Sequence, residues 1–195
     1  MIFRRLQPDP VPHAERLDHF AGELHPPGPV EHRVLDFTFL RPNLYFQGLL
    51  TFAGSISGEG RFFAPIGDSA VSAVDVRDIA AVAAVTLTEA GHEGATYSLT
   101  GPEAITRAQM AAALTAALDR TVTFVDVPPQ AFADSIRGLL PPWQVDGLLE
   151  DYAHYRRGEA GAVSSAVAEI SGKAPHNIEQ FGRDYAAAFS RNSAG

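Results

Sequence analysis

One stretch constrains the fold more than any other: a strand pattern that runs directly into a polar turn. Residues 37–40 alternate between two faces, with both phenylalanines on one face, and this period of two predicts a β-strand. Arg41-Pro42-Asn43 predicts the strand's end, because proline lacks an N–H and asparagine is a good helix N-cap. The apolar residues 44–50 are compatible with a helix. This order of elements predicts an α/β domain.

The same turn is the first place to look for a binding site. Ligands of open α/β sheets bind just beyond the carboxyl ends of strands, so residues 41–46 are the candidates. The alternative is a buried strand followed by an ordinary turn. Taken alone, this segment favours that alternative.

Composition excludes several classes of protein. The 195 residues predict a single domain, and a net charge of −8 argues against a protein that tracks a nucleic-acid backbone. The absence of cysteine excludes disulfides, a thiolate nucleophile and a cysteine-based zinc site, and it fits a cytoplasmic protein. No run of apolar residues is long enough to span a membrane, so no membrane partner is predicted.

Residues 1–32 differ from the rest, since six prolines and four histidines crowd into them. They predict an irregular segment in which only residues 14–24 could form a short helix. His19 and Glu23 are one helical turn apart and could ligate a metal. A surface pair without a third ligand is the commoner arrangement, so no metal site is predicted.

Three helix starts have clear capping signals. Asp75 is predicted to cap a helix, with Asp78 favouring its positive end. The alternative, an acid/base pair of these two aspartates, is less simple than capping. Capping boxes are predicted at Thr106–Gln109 and at Asn177–Gln180.

The remaining elements follow from periodicity and turn residues. Strands are predicted at 61–66, 70–74, 94–99 and 121–127, and helices from Pro128-Pro129, over 145–155 and over 165–170. Residues 54–60 predict a loop, because they match neither the nucleophile elbow nor the dinucleotide fingerprint.

No catalytic motif is present: the sequence has no Tyr-x-x-x-Lys, Walker loop or H-E-x-x-H. Tyrosines are candidate acids, yet each also fits a structural position. Trp143 is a candidate pocket wall or a half-buried helix anchor.

Four segments in this order resemble one family: 37–43, 74–80, 97–103, and 171–175 followed by the Phe181 helix. The sequence is similar to the NmrA-like family of atypical short-chain dehydrogenases/reductases. That family includes NAD(P)H-dependent quinone and azo reductases and redox-sensing regulators.

The resemblance is to the carboxyl half of the family, over residues 33–192. It implies a partial Rossmann-like parallel sheet with a small α/β substrate-side lobe, lacking the amino-terminal βαβ units. The family's glycine-rich loop, which would hold the cofactor pyrophosphate on backbone N–H groups, does not occur in the sequence. The expectation is a truncated member in which NAD(P)H binding is lost or weak.

The resemblance also implies site residues. Those beside the nicotinamide end of the cofactor are Leu40, Arg41, Pro42 and Asn43. Those near the substrate cleft are Tyr45, Phe46 and Gln47. A quinone-like acceptor needs an aromatic-walled pocket, to which Tyr45, Phe46, Phe62 and Trp143 are predicted to contribute.

Three functional hypotheses follow. The first is a truncated NAD(P)H-dependent oxidoreductase of the quinone/azo-reductase type, inactive or weak by itself, which acts on a small molecule. The second is a non-catalytic redox-sensing or regulatory module of the same family, which the missing Tyr/Lys dyad favours. The third is an inert fragment, which the missing phosphate loop favours. An open sheet edge also predicts a homodimer or a protein partner.

Overall fold

The computed structural model describes residues 2–4 and 37–190. The predicted irregular segment 1–32, apart from residues 2–4, lies outside the described residues. So do its predicted helix 14–24 and the pair His19 and Glu23.

Five short strands form two small sheets. They are β1 (Ile2–Arg4), β2 (Phe37–Pro42), β3 (Arg61–Ala64), β4 (Thr96–Leu99) and β5 (Thr123–Asp126). The first sheet has the order β1-β2-β4, in which β1 runs antiparallel to β2 and β4 runs parallel to it. The second sheet pairs β3 with β5 in parallel. Strand β1 was not predicted from the sequence.

Nine helical segments surround the sheets in the described chain. They are a 3-10 helix (Phe46–Phe52), α1 (Ala53–Glu59), α2 (Val76–Thr88), α3 (Arg107–Leu118), α4 (Pro129–Ile136), α5 (Pro142–Arg156), α6 (Ala166–Ser171), α7 (Ile178–Asp184) and α8 (Ala186–Phe189). None of the helices in residues 37–190 is long and apolar enough to cross a membrane. The parallel pairs flanked by helices confirm the α/β, Rossmann-like prediction.

Three apolar clusters lie within the described chain, and the two larger ones pack the sheets against helices. One packs Leu40, Val74 and Leu99 against α2 and α6. The other centres on Phe181 and joins α3 and α7 to the 3-10 helix and β3. The carboxyl end of β2 is thus fixed from below by a dry core, which positions the turn that follows it.

The predicted caps at Asp75, Thr106 and Asn177 are confirmed. The Asp75 carboxylate accepts from the Arg77 N–H at 2.9 Å and so caps α2. The Thr106 and Asn177 capping boxes both close, each with its glutamine three residues later. These signals are local, so the sequence alone was enough to predict them.

Three predictions were wrong, of which the first two concern residues 54–60 and 70–74. Residues 54–60 form helix α1 and its carboxyl cap, since Ile56 is fully buried and Gly60 (φ 67°) ends the helix. A side chain at Gly60 would place its Cβ 2.8 Å from the Thr121 carbonyl oxygen, so the glycine also permits a close approach. Residues 70–74 form no continuous strand and make only isolated bridges, at Val71 and Val74.

The turn after β2 also differs from the prediction. Arg41 and Pro42 belong to the strand, opposite Ser98 and Leu99 of β4. Asn43 caps no helix, because the 3-10 helix begins at Phe46 with Tyr45 as its N-terminal neighbour.

Candidate active-site cleft

A cavity of about 630 Å³ opens at the carboxyl ends of the parallel strands β2 and β4. Its volume falls in the range of about 300–1,000 Å³ that is usual for small-molecule sites. One wall is the segment 41–45 with Ser98 and Thr100, and the other is the end of α5 with the residues that follow it. The cleft lies where the α/β fold predicts a ligand site.

Asn43 lines the cleft and links its two walls through hydrogen bonds. Its side-chain N–H₂ donates to the Ser72 hydroxyl at 2.8 Å and to the Ala160 carbonyl at 2.9 Å, and its Oδ1 accepts from the Leu44 N–H. Ser72 in turn donates to the Ala162 carbonyl at 2.6 Å. The amide is therefore occupied by the chain itself, and Asn43 joins the two walls.

The structure brings four of the predicted site residues together. Arg41, Pro42, Asn43 and Tyr45 all line the cleft. Arg41 is exposed, and its guanidinium makes no ion pair or hydrogen bond with any other residue of the described chain.

The other predicted site residues lie elsewhere. Leu40 is 1% exposed within the core, and Phe46 is buried with its ring 5.7 Å from that of Phe181. Gln47 donates to Asp75 and accepts from the Val76 N–H, so its side chain braces α2. Trp143 is 71% exposed outside the cleft, and Phe62 is buried. Of the four predicted aromatic wall residues, Tyr45 alone lines the cavity.

The sequence reasoning missed the second wall. Asp151, His154 and Tyr155 of α5 line the cleft, together with Glu159 beyond the helix. The spacing i, i+3, i+4 on α5 puts the first three on one helix face, and this was the available signal. Nothing local shows that this face meets a turn more than a hundred residues earlier.

We call Asp151, His154, Arg157 and Glu159 the cleft cluster. Nδ1 of His154 makes an ion-pair contact with Oε2 of Glu159. Arg157 donates two hydrogen bonds to the same carboxylate, from Nε at 2.7 Å and from Nη2 at 3.0 Å. Gly158 (φ 78°) turns the chain back so that Glu159 meets both partners. Hydrogen bonding from Arg157 lowers the pKa of Glu159 and keeps it ionised.

Two partly buried tyrosines of α5, Tyr152 and Tyr155, neighbour this cluster. Burial raises the pKa of Tyr155, and nearby Asp151 raises it further. Burial also raises the pKa of Tyr152, whose ring packs 5.0 Å from that of Phe132. Both phenols are thereby held in the neutral form.

A second group of charges lies at the start of α2. We call Asp75, Arg77, Asp78 and His176 the α2 cluster. Asp75 receives three hydrogen bonds from Arg77, one from its N–H and two from its guanidinium. Asp78 accepts from the N–H and from Nδ1 of His176, at 2.8 and 2.6 Å. The bond from the Arg77 N–H confirms that Asp75 caps α2, whereas Asp78, in the first turn of the helix, bonds to His176.

Arg107 is a buried cation without a carboxylate partner in the described residues. Its Nη1 lies 3.3 Å from the Met110 sulfur, and its Nε has no hydrogen-bond partner. Burial lowers the pKa of Arg107 from its usual value. The described chain holds no group of three or more His, Cys, Asp or Glu residues that could bind a metal ion.

Known proteins share this fold and sequence. No protein-family model matches the chain. An NAD(P)H azoreductase from Xenophilus azovorans is 35% identical over 161 residues, which are 82% of this chain and 56% of the azoreductase. The crystal structure of the NADPH-dependent quinone oxidoreductase QOR2 from Escherichia coli, complexed with NADPH, matches with a TM-score of 0.67 at 28% identity. That match covers 74% of this chain and 51% of QOR2.

NmrA, a negative transcriptional regulator solved in complex with NADP, has the same fold, with a TM-score of 0.56 at 16% identity over 83% of this chain and 56% of NmrA. These similarities confirm the resemblance to the NmrA-like family of atypical short-chain dehydrogenases/reductases. The chain spans about half the length of the relatives that it matches.

Proposed function

We propose that this chain forms the substrate side of an NAD(P)H-dependent oxidoreductase of the quinone/azo-reductase type. One observation carries the proposal: the cleft at the carboxyl ends of β2 and β4 is lined by Arg41, Pro42, Asn43 and Tyr45. These are residues that the family resemblance assigns to the nicotinamide and the substrate. The similarity to an azoreductase and to a quinone oxidoreductase supports the choice of reaction.

The nicotinamide end of the cofactor fits this cleft. The cavity is large enough for a flat ring beside an acceptor, and Tyr45 and Tyr155 offer flat surfaces on its two walls. Arg41 supplies a positive charge on the β2 wall, whereas Asp151 and Glu159 make the opposite wall acidic. Anionic parts of the cofactor therefore belong on the β2 side. The sequence contains no glycine-rich phosphate loop, so we expect weak binding.

A bound nicotinamide supplies the hydride, and the chain's own residues orient the acceptor. Asn43 fixes the spacing of the two walls through its bonds to Ser72 and Ala160. A rigid spacing favours transfer between two stacked rings, because it holds the reacting atoms close together. We also keep a cytoplasmic location and a homodimer or protein partner as predictions from the sequence.

The test is thermal unfolding of the purified chain with and without millimolar NADPH, followed by oxidation of NADPH in the presence of a benzoquinone. We expect NADPH to raise the Tm of the wild type and to raise it less in Arg41→Ala. Arg61→Ala is the matched control, since Arg61 is an exposed arginine on β3 paired with Glu59 outside the cleft. A Tm that ignores NADPH, together with no NADPH oxidation, would overturn the proposal.

A further inference from the structure

Two-electron reduction of a quinone requires a proton as well as a hydride. Addition of the hydride leaves an anion on the acceptor, and a positioned acid that neutralises this anion accelerates the reaction. The residues of the cleft that can give up a proton are Tyr45, His154 and Tyr155. Tyr155 is a poor donor, because burial raises its pKa.

His154 is held in a defined orientation. Its Nδ1 faces the Glu159 carboxylate, which Arg157 fixes with two hydrogen bonds. A carboxylate at Nδ1 keeps the proton on that nitrogen and leaves Nε2 as the exchangeable site. His154 lines the cavity and is 49% exposed, so solvent can restore its proton after each turnover.

We propose that His154, positioned by Glu159, is the general acid that protonates the reduced acceptor; this inference rests on the proposed function. The N–H bond at Nε2 of the imidazolium breaks, and an O–H bond forms on the quinone anion left by hydride addition. The acceptor thus gains one hydride and one proton and becomes a hydroquinone. The neutral imidazole then takes a proton from water. Glu159 is a positioning residue, because it acts through His154.

The first experiment measures the tautomer of the His154 imidazole directly and needs no cofactor. Long-range ¹H–¹⁵N NMR of the labelled chain distinguishes the two neutral tautomers of each imidazole. We expect the Nδ1–H tautomer for His154 in the wild type and a return towards the Nε2–H tautomer, which free imidazole side chains favour, in Glu159→Ala. His176, bonded to Asp78, is the internal control and should not change. An Nε2–H tautomer for His154 in the wild type would overturn the positioning by Glu159.

The second experiment measures steady-state kinetics of the wild type and its variants. With a benzoquinone as acceptor, His154→Ala should lower kcat by about 100-fold to 10,000-fold and leave the KM for NADPH unchanged. Added imidazole should restore activity to His154→Ala and not to Glu159→Ala, which still carries its own imidazole. His92→Gln is the matched control, since His92 bonds to Tyr97 outside the cleft, and it should retain wild-type activity.

The outcomes separate the two proposals. Turnover in the wild type with an unchanged kcat in His154→Ala would overturn the role of His154 and leave the oxidoreductase standing. No turnover in the wild type would overturn the proposed function, and the catalytic role of His154 with it.

Discussion

The described chain contains two close contacts between a histidine Nδ1 and a carboxylate, and they differ in almost every other respect. In the α2 cluster, the Asp78 side chain is 6% exposed and accepts two bonds from His176. In the cleft cluster, the Glu159 side chain is 43% exposed and borders a cavity. The first pair ties the start of α2 to the segment before α7. The second pair joins the end of α5 to its own continuation.

The difference teaches how a structural pair can be told from a functional one. A buried carboxylate whose lone pairs are filled by backbone and side-chain donors stabilises the fold and has no capacity left for a ligand. An exposed pair contributes little to stability, so its loss should leave the fold intact. Substitutions in the two clusters should therefore affect different properties of the protein.

The largest loss of stability should come from Asp75→Ala. It removes three hydrogen bonds from Arg77, one of which caps the helix, and one from Gln47, all at a fully buried carboxylate. We expect a loss of about 3 kcal/mol, measured by denaturant unfolding. Asp75→Asn is the control, since it keeps an acceptor for the cap and should lose less. A loss below about 1 kcal/mol would show that the α2 cluster is not structural.

The next effect should come from Asp78→Ala. It leaves the N–H and Nδ1 of His176 without their acceptor, and we expect a loss of about 2 kcal/mol in the free energy of unfolding. Asp78→Asn should lose less stability than Asp78→Ala, because its amide oxygen can still accept a hydrogen bond. Equal losses for the two variants would mean that the charge, and not the hydrogen bonds, carries the stability.

Arg107 sharpens the comparison, because it is buried like the α2 cluster but lacks a carboxylate partner in the described chain. Replacing it by an unbranched, uncharged side chain removes a buried charge that has no carboxylate partner. We expect Arg107→Met to raise stability by about 1–2 kcal/mol. Arg77→Met, in which the removed charge is paired with Asp75 and Asp184, should destabilise instead. A destabilising Arg107→Met would contradict this interpretation.

Acid should weaken the α2 cluster through Asp75. Burial opposes ionisation of this carboxyl, but hydrogen bonds from Arg77 and Gln47 outweigh it and hold the pKa below the usual value. Its contribution is therefore complete above the pKa of the unfolded chain, about 3.9, and is lost as the pH falls through the lower folded value. Unfolding measured from pH 5 downwards should show a smaller loss in Asp75→Asn than in the wild type. If the wild type and Asp75→Asn lost stability equally as the pH fell, Asp75 would not be the source of the acid sensitivity.

The smallest effect on stability should come from Glu159→Ala. The side chain is exposed and its partners are solvated, so we expect little change in the free energy of unfolding. The same variant should alter the tautomer of His154, so stability and site chemistry separate in a single protein. A loss as large as that of Asp78→Ala would place the cleft cluster with the structural pairs.

The sequence predicted those parts of the molecule that are set within a few residues. The caps at Asp75, Thr106 and Asn177 depend on neighbours along the chain, and all were confirmed. Helix α1 was missed because its glycines and serines favour a loop, whereas burial of Ile56 by distant segments makes it a helix.

The α5 wall of the cleft likewise could not be predicted from local sequence patterns. Arg41, Pro42, Asn43 and Tyr45 were predicted from the family resemblance, and in the structure they line one cavity. His154 and Glu159 meet them only through tertiary contacts. Asn43 and Ala160, which join the walls, are 117 positions apart in sequence.

Helix α5 has no fully buried residue along its length. Its end is held where Arg156 pairs with Asp126 and its carbonyl accepts from the Ser69 hydroxyl. Tyr152 and Tyr155 also pack against the apolar cluster of Ala64, Ile66, Val71 and Ala160. The exposed residues of the helix, Asp151 and His154 among them, can therefore change over evolutionary time with little effect on the core.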